Sequence, residues 1–80
     1  MKKFEMIIKE ALISEGIMGN NWRFKVNPII TKENFNFCEM EVTVYEPRCK
    51  KPCTIWNIPY DMTRNILHFC DATLIYNKYS

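Results

Sequence analysis

In the segment Tyr60–Asn77, YDMTRNILHFCDATLIYN, apolar residues return at helical spacing. Met62, Ile66, Phe69, Cys70, Thr73 and Leu74 project onto one broad arc at about 100° per residue, with Leu67 at its margin. Asp61 stands where a helix N-cap accepts the first free backbone N–H groups. The spacing predicts an amphipathic helix, and this helix decides the fold class, because the chain also opens with one. From Lys2 to Glu15 the residues Phe4, Ile7, Ile8, Ala11 and Leu12 share an arc, Glu5 and Lys9 form an i,i+4 pair, and Gly16 occupies the site of a left-handed C-terminal cap. Ile17 supplies the apolar contact such a cap uses.

Between the two helical segments the period is two. Trp22, Phe24 and Val26 alternate with Arg23, Lys25 and Asn27, a strand that Ile29 and Ile30 prolong and that Pro28 assigns to an edge, a bulge or an end. After a turn at TKEN, residues 31–34, a second strand from about Phe35 to Glu46 places Cys38, Met40, Val42 and Val44 on its core face. An antiparallel hairpin of these two strands sets Arg23 and Lys25 near Glu39 and Glu41. The loop EPRCKKP leads to a third strand, CTIWNI, which Ile58-Pro59 ends. The expected fold is a single compact α+β domain over residues 1–80. It has two layers in α-β-β-β-α order: a three-stranded antiparallel meander with both helices on one face.

The chain has 80 residues, 48% apolar, 25% charged and 14% aromatic, with a net charge of +2. That suits a packed domain of modest stability and is too weakly basic overall to indicate a nucleic-acid protein without local clustering. The opening MKKFEMIIKEALI begins like a signal peptide, but Glu5, Lys9 and Glu10 interrupt its apolar run, and no segment is long enough to span a bilayer. The expectation is a cytoplasmic protein with reduced thiols and no membrane partner. Asn, Ile, Lys, Phe, Tyr and Met are abundant, and Ala11 and Ala72 are the only alanines, the residue bias of an AT-rich genome.

Three of the four cysteines fall within Cys38–Cys53, and HFCD adds His68 and Cys70. Only Cys49 and Cys53, at C-x₃-C, have zinc-ligand spacing, and a second pair is missing. His68 and Cys70 stand about 160° apart around a helix, too far to share an ion. The reading is inert thiols, with no metal and no cofactor. Cys49, between Arg48 and Lys50, has the setting of a more reactive thiol, and His68 is the only imidazole available as its base. No phosphate-binding glycine loop, HExxH or GxSxG occurs, so an enzyme is not expected.

Two partner-binding surfaces are candidates. One is the outward side of the expected last helix, Arg64, His68, Asp71 and Ile75; Met6 and Ile13 make a similar apolar feature on the first. The other is the basic loop Arg48, Lys50 and Lys51, with Tyr45, Trp56 and Tyr60 near it in sequence. The helix, three strands, helix order resembles the double-stranded-RNA-binding domain in architecture alone. That family's lysine-rich start of the last helix is replaced here by PYDMTRN, so the resemblance implies no site residues. The leading expectation is a non-enzymatic, phage- or mobile-element-encoded inhibitor of a host or defence protein, of the anti-CRISPR-like class, acting by occlusion. The alternatives are a nucleic-acid-binding module that uses the basic loop, and a self-associating structural protein that pairs through its first strand.

Overall fold

The computed structural model describes residues 2–30 and 37–79. One helix, α1 (Lys2–Ser14), precedes the strands β1 (Arg23–Ile30), β2 (Phe37–Tyr45), β3 (Thr54–Asp61), β4 (Ile66–Leu67) and β5 (Thr73–Asn77), with a 3₁₀ turn at Phe69–Asp71. The strands form a five-stranded antiparallel sheet curled into a half-barrel, in the order β1-β2-β3-β4, with β5 also on β3. The two-helix, three-strand expectation is therefore overturned: its second helix does not exist, and the segment from Tyr60 to Asn77 supplies the end of β3 and two further strands.

The first helix ends as its sequence requires. Gly16 has φ 76°, Gly16 N–H donates to Ile13 C=O at 3.0 Å, and Ile17 N–H donates to Leu12 C=O at 2.9 Å. This is the paired bonding of a Schellman cap, which satisfies carbonyls the helix leaves open. Ile8 and Leu12 are buried against Met40, Val42, Val44, Ile58 and Tyr60, while Ile17 packs at the margin. Each fully buried aliphatic side chain contributes about 1.5–3 kcal/mol. The arc is turned from the expected one: Ile7 is 48% exposed, and Ile13 packs against the core instead of facing out with Met6. The side chain of Phe4 lies outside the described residues.

β2 buries Cys38, Met40, Val42 and Val44, the expected face. β1 runs through Pro28 and Ile29 to Ile30, at the edge of the sheet. The expected turn at residues 31–34, with Phe35 and Asn36, lies outside the described residues. The register differs from the expected hairpin. Arg23 pairs with Tyr45 and Lys25 with Thr43, whereas Glu41 faces Asn27 and Glu39 faces Ile29. The expected cross-strand charge pairs are accordingly not made; Glu39 instead accepts from Asn57 Nδ2 at 3.3 Å.

Pro59 does not end β3. The carbonyl of Pro59 accepts from His68 N–H at 2.8 Å, so in this antiparallel ladder its nitrogen points to the same edge, toward the fourth row of the sheet. That row is broken there: β4 pairs with Tyr60 and Asp61, the 3₁₀ turn leaves the ladder, and β5 resumes at Asn57. The missing N–H of the proline thus coincides with the gap in its neighbour.

The segment after β3 opens on a side-chain cap. Asp61 Oδ1 accepts from Thr63 N–H at 3.0 Å and Arg64 N–H at 3.1 Å, the work of an N-cap. Asn65 then takes φ 60° and turns the chain back into β4. Of the expected arc, Met62, Ile66, Cys70, Thr73 and Leu74 are exposed; Leu67 and Phe69 reach the core edge, as does Ala72, which is not on it. Ile66, Thr73, Ile75 and Tyr76 are residues that favour strands. Replacement of Asn65 by alanine discriminates the two conformations. In a helix it stabilises; at a left-handed hairpin position it costs about 1–2 kcal/mol, and the latter is expected in urea unfolding, with Asn65→Gly tolerated.

Candidate basic-aromatic surface

Arg23 and Lys25 leave the same face of β1, and Tyr45, at the end of β2, lies between them. The Arg23 guanidinium carbon is 5.2 Å from the Tyr45 ring centroid, and Lys25 Nζ is 5.9 Å from it, both within cation–π range. Arg23 also donates through Nη2 to the Cys49 carbonyl, which ties β1 to the loop after β2. With Phe24 and Lys50 these residues line an open depression of about 430 Å³.

The loop is held in shape by local bonds. Cys49 N–H donates to the Glu46 carbonyl at 3.2 Å across Pro47 and Arg48, and Arg48 has φ 64°. Proline followed by a positive-φ residue is the arrangement of a type II turn, whose second central position favours glycine. An arginine there costs on the order of 1–3 kcal/mol. The loop returns at Cys53, whose N–H donates to Val44 C=O at 2.7 Å and whose carbonyl accepts from Lys78 N–H at 3.0 Å.

Glu46, the carboxylate nearest in sequence to this loop, is already neutralised. Its Oε1 is 2.6 Å from Lys78 Nζ and accepts from the Tyr79 hydroxyl. The Lys78 hydrogen bond, then that of Tyr79, holds the Glu46 carboxyl below its ordinary range. The same contact with Glu46 pushes Lys78 and Tyr79 up. Among the described residues ion pairs join Lys78 to Glu46 and Arg64 to Asp61, and none takes up Arg23, Lys25, Arg48, Lys50 or Lys51. Five cations at one end of the sheet, two of them over an aromatic ring, form a surface suited to anions.

The other expected surface is not assembled. Arg64 is in the β3–β4 turn with its side chain 77% exposed and Nε 4.0 Å from Asp61 Oδ2. Asp71 ends the 3₁₀ turn, and Ile75 is the extra residue of a β-bulge, since Leu74 pairs with Trp56 and Tyr76 with Ile55. His68 is not part of a solvated face: its Nε2 is buried without a hydrogen-bond partner, and its ring lies 5.9 Å from that of Phe37. The basic-loop residues Arg48, Lys50 and Lys51 are exposed, and Lys50 lines the depression with Tyr45, the aromatic expected near the loop; sequence reasoning missed that Arg23 and Lys25 join them. The alternation RFK in β1 was legible; the register that carries it to Tyr45 was not.

The four cysteines are free thiols. Cys38 and Cys53 are buried, and burial pushes both thiols up. Cys49 is half-buried, and Cys70 is exposed, not on a core arc. Among the described residues no group of three or more His, Cys, Asp or Glu side chains is placed to hold a metal, and no helix is long and apolar enough to cross a membrane. Comparison of the chain with protein-family models, with curated proteins and with solved structures finds no match.

Two outcomes check the loop. The Glu46 carboxyl titrates lower in the folded chain, so its contribution is complete above the ordinary value of about 4.3 and fades as pH falls through the depressed one. Lys78, raised, contributes below its ordinary value of about 10.4 and loses that contribution as pH rises through the folded one. Exchange protection of the Lys78 amide, corrected for intrinsic rates, should fall on acidification, and Glu46→Gln should remove that dependence; a variant that keeps it contradicts the assignment. Separately, Arg48→Gly should leave thermal stability equal or raise it by up to about 1 kcal/mol, relief of strain offsetting the entropy glycine adds to the unfolded chain.

Proposed function

We propose that the chain is a non-enzymatic binding protein that acts by occlusion, laying the basic end of its sheet on an anionic surface of a partner protein. The carrying observation is the placement of Arg23 and Lys25 over Tyr45 beside the Lys50 loop, with the nearby Glu46 already engaged by Lys78. Tyrosine and arginine are the side chains that most often dominate protein interfaces, and unbalanced charge speeds and orients encounter. The AT-rich residue bias supports the narrower form of the reading: an inhibitor encoded by a phage or mobile element, active in the cytoplasm of a host cell against a host or defence complex, of the anti-CRISPR-like class.

A second reading rests on the same ring. Cations over a half-buried aromatic also suit a nucleic acid, whose phosphates and bases meet charge and stacking together. Affinity capture from host cells with and without nuclease, repeated with Arg23→Glu/Lys25→Glu, separates the two. Occlusion of a protein predicts a partner retained after nuclease and weakened about ten- to a hundredfold by the double substitution. Loss with nuclease, together with affinity that falls steeply and linearly in log salt, replaces it by the nucleic-acid reading. Retention of the partner by the double variant contradicts both.

A further inference from the structure

β1 pairs with β2 and, among the described residues, with no strand on its other side. One edge of its backbone therefore lacks a strand partner for its N–H and C=O groups. Beside that edge, between β1 and α1, runs an apolar trough of about 480 Å³ lined by Ile8, Phe24, Val26 and Met40, with Glu5 and Lys25 at its rim. Phe24 and Lys25 also line the basic depression, so the trough and the depression adjoin across β1.

We propose that this cleft binds an extended acidic-apolar segment of the partner protein by strand addition to β1. The main chain of the segment bonds along Arg23–Asn27, its alternate apolar side chains enter the trough, and its carboxylates lie over Arg23, Lys25 and Lys50. An added strand offers affinity through main-chain bonds and selectivity at every second side chain, the spacing at which Phe24 and Val26 stand. Pro28 has no N–H and closes the usable edge on that side. Charge selects the occupant. A second copy presenting the same edge sets another Arg23 and Lys25 against the first pair, with Glu5 the one carboxylate among the residues that line the trough, whereas an acidic segment brings a carboxylate for each cation. The proposal rests on the reading of the basic end as the partner-facing surface.

The test uses the full chain and fluorescein-labelled peptides with two aspartates ahead of alternating valine and threonine, followed by fluorescence anisotropy. Two further peptides carry N-methyl groups on alternate amides, one in each register. The expected result is saturable binding below about 1 mM, abolished by one methylated series and kept by the other, and weakened about tenfold by Lys25→Glu. The circular dichroism spectrum and unfolding midpoint of that exposed-site variant should match the parent chain. Equal binding of the two methylated peptides, or no saturation, overturns strand addition. A thymidine oligonucleotide that binds in place of the peptide and is lost in Lys25→Glu overturns it too and assigns the surface to nucleic acid. These failures stay distinct from failure of the functional reading, which is partner capture that survives Arg23→Glu/Lys25→Glu.

Discussion

Pro59 governs the architecture. Its carbonyl holds His68 while its nitrogen offers nothing to the same edge, so a continuous fourth strand laced along β3 would lose a bond at that point. The chain answers by splitting that strand: β4 pairs beside Tyr60 and Asp61, the turn Phe69–Asp71 steps out, and β5 pairs from Asn57 back to Thr54. The bulge at Ile75 adds further twist in the same row. A sheet broken and bulged on one side curls readily, and a single amphipathic helix is enough to cover its inner face through Ile8 and Leu12.

The basic surface follows from that arrangement. β5 runs back along β3 and delivers Lys78 and Tyr79 to Glu46 at the far end of β2. Had the last segment been a helix, Glu46 would have been available to the loop cations. With Glu46 engaged, the positive charge of Arg48, Lys50 and Lys51 joins that of Arg23 and Lys25 over Tyr45. The strained conformation of Arg48 belongs to the same exposed loop.

Much of the local structure was legible. Helix α1 and its glycine cap, the alternation of β1 and β2, and the core face Cys38, Met40, Val42 and Val44 follow from period and turn chemistry. The C-terminal segment was not, for a definite reason: a hairpin loop that begins with Asp61 capping two amides has the same first turn as a helix. The apolar spacing of Met62, Ile66 and Cys70 then extends the illusion. The signals against it were the strand-forming run Thr73–Tyr76 and Asn65, a residue that tolerates left-handed backbone. At the site, the loop cations could be read one by one, but register decides which charges meet. The two-residue spacing that would set Arg23 and Lys25 beside Glu39 and Glu41 equally suits Tyr45 and Thr43, and hydrophobic alternation fixes a register only modulo two.

The claim most exposed to measurement is that the chain after Asp61 is a broken strand on β3. Nuclear Overhauser spectroscopy of the labelled protein tests it directly. Cross-strand backbone contacts joining Asn57 to Thr73 and Tyr60 to Leu67 are the predicted result; an unbroken series of i,i+3 contacts from Asp61 to Asn77 would contradict it, and would return Glu46 to the basic loop.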